Sequence, residues 1–177
     1  NHQLSYDESQ REYRTMFDYM IQKQTNHLIT EVKGSKNLEK RIIGCSAIIL
    51  SGLCYKIEKK YLSFGLGLLQ KIIKNLLDNE GLIKSRNIKQ QIFYLKHFIL
   101  IKEWFKESQV EIPELIEEAI YYFGKAYAYF WQNTQVNLLF NGNNISNHKN
   151  FDNYLKRLGY KFKNDIKDYG GYTILQN

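Results

Sequence analysis

Proline occurs once and cysteine twice in the 177 residues, and no apolar run is long enough to span a bilayer. The longest, Ile42 to Leu53, is interrupted by Gly44, Ser46, Ser51 and Gly52, so a transmembrane helix is excluded. Cys45 and Cys54 lie nine residues apart inside one apolar helix. They cannot face one point, which makes them core thiols rather than a disulfide or metal pair. No His-x-x-x-His spacing occurs, so no zinc site and no cofactor is expected. Asn1 to Arg14 is polar throughout, which excludes a secretory leader there. No repeat of fixed period is visible.

What remains is an ordinary globular mixture, 44% hydrophobic and 24% charged, which excludes disorder of the whole chain. The length suits about one domain of roughly 100–200 residues. The net charge of +7 suits an anionic partner: nucleic acid, an acidic polysaccharide or a membrane surface. Abundant Lys, Asn, Ile and Tyr are also what AT-rich coding produces. The lysines are spread along the helices and form no dense block, which argues against a nucleic-acid arm.

Periodicity predicts long helices joined by short loops. The first runs from about Tyr6 to Val32, with Met16, Met20 or Phe17, Ile21, Gln24 and Leu28 on one face. Gly34 is its expected C-cap. Asn37 caps a second helix carrying Leu38, Ile42, Ile43, Ala47, Ile48, Leu50 and Leu53. That helix is apolar almost all round and should be buried between neighbours. A third covers about Lys56 to Leu77, with Leu62, Leu66, Leu69, Ile73 and Leu76 inward. Gly65 and Gly67 cost it roughly 1 kcal/mol each against Ala, and close approach of a neighbour is the expected reason. Asp78-Asn79-Glu80-Gly81 breaks it, and a loop leads to a fourth helix, Ile88 to Glu107. Pro113 opens a fifth, reaching Phe130. Val136 to Phe140 reads as a short strand, Asn141 to Asn144 as a turn, and Phe151 to Leu158 as a short helix. Gly170-Gly171 then precedes an opening strand, Tyr172 to Leu175.

Three segments, in order, resemble the heparinase II/III-like family of polysaccharide lyases, in particular a bacterial branch of it. Asn79-Glu80-Gly81-Leu82-Ile83-Lys84-Ser85-Arg86-Asn87 is similar to the family's Asp-Gly-Gly turn followed by Ser-Arg-Asn at a helix start. Val110 to Leu115, the helix after it and Leu138-Leu139-Phe140-Asn141-Gly142 are similar to a helix, a short strand and a Phe-Asn-Gly turn. Gly170-Gly171-Tyr172 resembles the lead into the C-terminal β-sandwich. The resemblance runs from about Gln10 to the C-terminus. Departures are Glu80 before Gly81, Ile88 where proline is usual, and Tyr169 where the branch often has histidine.

The resemblance implies a mainly α fold of antiparallel helical hairpins forming part of an (α/α) toroid, with short β segments at the C-terminal end. Residues 1–159 would be toroid, and 160–177 the linker and first strand of a missing sandwich. With no initiator Met and an abrupt end, the chain is expected to be a fragment whose partners include the remaining helices and the sandwich. A soluble protein of the bacterial cytoplasm or periplasm is expected. The implied chemistry is β-elimination at a uronic-acid linkage. A cation or amide neutralises the carboxylate, a base takes the neighbouring proton, and an acid protonates the leaving oxygen.

Arg86 has the planar fork that fits a carboxylate, and no acidic residue follows Glu80 in its loop. Asn87 suits either that role or the N-cap of the fourth helix. His27, after Asn26, matches an Asn-His pair used at the family's active site, or is a helix-end surface residue. Ser85, Asn141 and Gly142 are the substrate-binding candidates, although an Asn-Gly turn also serves chain reversal. The crowded Tyr121, Tyr122, Tyr127, Tyr129 and Trp131 could stack on sugars or pack a core. A non-catalytic helical scaffold or glycan-binding module is the alternative reading. As an isolated piece the chain is expected to show no turnover.

Overall fold

The computed structural model describes residues 2–55, 59–132, 149–163 and 168–173. The expected strand at Val136–Phe140 and the turn at Asn141–Asn144 lie outside them. The protein is mainly α-helical with one two-stranded antiparallel sheet. Among the described residues no helix is long and apolar enough to cross a membrane. The chain divides into two compact units, 1–69 and 70–177.

The first unit holds α1 (His2–Gly34), α2 (Leu38–Cys54) and the first turns of α3 (Lys59–Leu76). Asn37 caps α2 as expected, its Oδ1 accepting from Lys40 N–H at 2.9 Å. Val32 lies against Gly44, and the Thr25 and Ser51 hydroxyls meet at 3.0 Å, so α1 and α2 run antiparallel. Small residues set the spacing. A Cβ on Gly52 would come within 2.5 Å of the Leu62 amide nitrogen, and one on Gly65 within 2.6 Å of Ile49 Cγ1. That approach lets Cys45 Sγ donate to Gly65 O at 3.0 Å.

Several expectations need correction in this unit. Gly34 is not a left-handed cap; it ends α1 with no positive φ. Met16, Phe17 and Met20 are exposed, and the inner residues are Thr25 and Val32, with Leu28 and Ile29 half-covered. Among the described residues α2 meets the C-terminal half of α1, at Thr25 and Val32, and the periodic stripe before it is left exposed at Met16, Phe17 and Met20. On α2, Ile43 and Ala47 face outward. On α3 the expected Leu69 and Leu76 are buried, but Tyr61, Gly65 and Ile72 are buried where Leu62, Leu66 and Ile73 were expected, and those three are half-buried. Gly67 is exposed with open space around it, so close packing is not its role. Cys54 is exposed and only Cys45 is a core thiol.

The second unit is built on α4 (Ile88–Glu107) and α5 (Glu114–Tyr127). They are antiparallel: Gln91 Nε2 donates to Phe123 O at 3.1 Å near one end, and Lys102 pairs with Glu117 at 2.7 Å near the other. Tyr94, Phe98 and Phe123 fill the space between them. Asn87 caps α4 as expected, and Pro113 is the N-cap of α5. α5 widens into a π turn, Ala128–Gln132. Asp152 of α6 (Lys149–Arg157) accepts from Tyr127 Oη at 2.6 Å and Trp131 Nε1 at 2.9 Å, which ties both ends of that turn to one carboxylate. Tyr127 and Tyr129 are core residues and Tyr121 is exposed.

The chain closes with β1 (Asp168–Tyr169) and β2 (Tyr172–Thr173). Gly170 and Gly171 both have positive φ, 59° and 79°. They form a two-residue hairpin turn, the geometry that favours glycine at both positions. The strand expected from Tyr172 therefore begins as the second arm of a hairpin.

Candidate functional site

The turn between α3 and α4 is the most elaborately bonded stretch of the second unit. Asp78 organises it. Its Oδ1 accepts from the amides of Glu80 and Leu82, each at 2.9 Å, and its own amide donates to Leu82 O at 2.9 Å. Leu77 and Ile83 form an isolated antiparallel bridge, and Lys84 N–H reaches back to Leu76 O at 3.0 Å. Gly81 takes φ 80° with its Cα on the Tyr122 ring, where no side chain fits.

Arg86 closes the loop. Its Nη1 lies 2.5 Å from Asp78 Oδ2, and its backbone has φ 54°. The sequence left Arg86 without an acidic partner inside its loop; Asp78, eight residues earlier, supplies one once the turn folds back. Burial opposes ionisation of Asp78, but the Leu82 amide, the Arg86 guanidinium and the Glu80 amide outweigh it and hold the carboxyl below its usual range. Ser85 Oγ donates to Gln90 Oε1 at 2.7 Å, and Asn87 Oδ1 accepts from Gln90 N–H at 3.1 Å. Ser85, Arg86 and Asn87 are thus brought together, each with a bond that builds the turn or caps α4.

Beside this turn opens a cleft of about 790 Å³. Its walls are the end of α3, the Asp78–Gly81 turn with Lys84, and one face of α5. Ile73, Leu77, Leu115 and Ala119 make an apolar floor; Lys74, Lys84, Glu80, Glu118, Asn79 and Tyr122 supply the polar and aromatic groups. Arg86 does not line it. Such a surface can lay a flat ring against Tyr122 and hold polar substituents at the rim. Behind the turn, Tyr169 is only 4% exposed, and its buried hydroxyl has no hydrogen-bond partner among the described residues. Burial raises its pKa, and the Asp78 and Glu80 carboxylates raise it further. It stays a neutral phenol.

His27 is an exposed residue of the first unit, inside α1 rather than at its end. His97 sits half-buried with Nδ1 2.8 Å from Phe93 O. Asn141 and Gly142 lie outside the described residues. Among the described residues no three His, Cys, Asp or Glu side chains group as metal ligands. Sequence reasoning missed Lys74, Lys84 and Glu118. The only signal for them was their polarity on helix and turn positions that also carry apolar neighbours, which is common to any amphipathic surface. No protein-family model, curated protein or solved structure matches the chain.

Proposed function

We propose that the chain is the helical, toroid-type part of a heparinase II/III-like polysaccharide lyase, and that the cleft beside the Asp78–Gly81 turn takes one sugar of an acidic, uronate-containing glycan. The observation that carries this reading is the cleft itself. It sets Lys74, Lys84, Asn79 and the Tyr122 ring beside apolar side chains, with the carboxylates of Asp78, Glu80 and Glu118 in the same lining. β-Elimination needs a cation at the uronate carboxylate so that the adjacent carbon acid can lose its proton. Lys84 and Lys74 are the cations that line the cleft, so the neutralising role passes from Arg86 to them. Arg86 holds the turn through Asp78, and Ser85 and Asn87 hold the start of α4. His27, Asn141 and Gly142 are retained as candidates by the resemblance alone.

The second reading, a glycan-binding module without catalysis, is favoured by one specific observation. Ser85, Arg86 and Asn87 all engage polar atoms in building the turn. Both readings require the cleft to bind. The test is calorimetric titration of a hexasaccharide of alternating uronic acid and hexosamine, beside its carboxyl-reduced form. Carboxyl reduction and Lys84→Ala are each expected to weaken binding about ten-fold, roughly 1.4 kcal/mol. Equal binding of both oligosaccharides, or none, contradicts both readings. Ultraviolet absorbance of released unsaturated uronate, from a longer protein carrying this chain, separates lyase from module.

A further inference from the structure

Among the described residues the Asp168–Thr173 hairpin has two residues in each arm, and a lone two-stranded hairpin is marginally stable at best. Its position must come from what it touches. Tyr169 is buried among Leu82, Ile88, Ala126, Tyr129 and Phe130, with Lys125 Nζ 5.2 Å over its ring. On the other arm, Tyr172 O accepts from Tyr129 Oη at 2.5 Å. Both arms are therefore pinned to the end of α5 and its π turn. The tip goes elsewhere. Gly170 N–H donates to Glu80 Oε2 at 2.7 Å, across 90 residues of sequence. Its Cα lies against Leu82, where a Cβ would overlap the Leu82 side chain. Glu80 is one of the residues lining the cleft, and Leu82 follows Gly81 in the same turn.

We propose that this hairpin is a strap that fixes the cleft wall, and that Glu80 is the positioning residue through which it acts. The bond joins an anionic oxygen to a backbone amide, a stronger class of hydrogen bond than a neutral pair. It ties the exposed tip of the Asp78–Gly81 turn to a hairpin seated in the core. The turn's own bonds through Asp78 close it locally but do not fix its outer carboxylate. With the tip held, Glu80 and Lys84 keep their places at the rim. Released, the wall samples several positions, and ligand binding must order it again. A bound ligand and a latched strap then favour each other, since the coupling is reciprocal. That coupling rests on the glycan reading of the cleft; the latch itself does not.

The test uses hydrogen exchange, resolved to the Gly170 and Gly81 amides, together with the oligosaccharide titration and a thermal melt. Variants are Glu80→Ala, Glu80→Gln and Gly170→Ala, and Glu80 is exposed enough that its variants should fold. Glu80→Ala is expected to speed Gly170 exchange at least ten-fold, to speed Gly81 exchange by less, and to weaken oligosaccharide binding about three-fold. Glu80→Gln keeps an acceptor oxygen and should restore most of the protection and the affinity. Gly170→Ala should loosen the same contact from the hairpin side. Saturating oligosaccharide should slow Gly170 exchange in the wild type. Unchanged Gly170 exchange in Glu80→Ala overturns the strap. So does equal loss of binding in Ala and Gln variants with exchange intact, which would mean that Glu80 meets the ligand by its charge. If the wild type binds no oligosaccharide, the glycan reading fails, and the exchange rates of the Glu80 and Gly170 variants still decide the latch.

Discussion

The two compact units are both helical, yet they are held together by different physics. In unit 1–69 the helices meet through missing side chains: Gly44, Gly52 and Gly65 let backbones approach, and the hydrogen bonds between helices are neutral ones, Thr25 to Ser51, Cys45 to Gly65 and Tyr61 to Asn26. In unit 70–177 aromatic rings fill the helix interface, and polar groups bind distant segments: Asp78 to Arg86, Asp152 to Tyr127 and Trp131, Glu80 to Gly170. The first kind of packing leaves no room for a Cβ at Gly44, Gly52 or Gly65, and the hydrogen bonds between its helices carry no charge. The second tolerates shape changes better but depends on charge. The second kind fixes charged groups at the turn that borders the cleft.

The largest expected effect breaks the first unit. Gly52→Ala places a methyl against the Leu62 backbone, which cannot swing away as a side chain tip could. A loss of about 1–3 kcal/mol is expected by chemical denaturation. Gly67→Ala is its control: the site is open and helical, so a gain of about 0.5–1 kcal/mol is expected. A tolerated Gly52→Ala would mean that the close approach is not what sets the packing.

The next effect belongs to the second unit and follows pH. Asp78 has its pKa lowered by folding, so its contribution is full above the unfolded carboxyl value and is lost as pH falls through the lower folded value. Melting temperature should therefore drop below about pH 4 more steeply in the wild type than in Asp78→Asn. Near neutral pH, Asp78→Ala should cost about 1–2 kcal/mol, because two amides lose their acceptor. Parallel acid profiles for wild type and Asp78→Asn would remove the polar account of the turn.

The smallest effect sharpens the contrast within unit 1–69. Burial pushes the Cys45 thiol up to about 12, whereas Cys54 is exposed. Iodoacetamide at mildly alkaline pH should label Cys54 in the native protein and Cys45 only after denaturation. Mass spectrometry of the peptides reads this directly, and early labelling of Cys45 would show an open first unit.

Much of the fold was legible in the sequence because helix ends carry local chemistry. Asn37 and Asn87 announce α2 and α4 by their caps, and Pro113 marks the start of α5. What was not legible depends on partners distant in sequence. The Met16–Met20 stripe is periodic, but periodicity does not say whether a neighbour reaches it. Gly67 looks like Gly65 until the neighbouring helix is in place. Arg86 seemed unpaired because its carboxylate lies before the turn that brings the two together. Ser85, Arg86 and Asn87 were singled out as a group, but none of them lines the cleft, and their structural bonds were half anticipated by the cap at Asn87. The cleft was not found, since Lys74, Lys84 and Tyr122 converge only through the α3–α4 turn and the face of α5.

The most direct test of the cleft is amide chemical-shift mapping by nuclear magnetic resonance during titration with the alternating uronate–hexosamine hexasaccharide. Shifts are expected at Asn79, Gly81, Lys84 and Tyr122, saturating together, and strongly reduced in Lys84→Ala. Absence of saturable shifts, or shifts confined to unit 1–69 around His27, would contradict the assignment of this cleft as the glycan site.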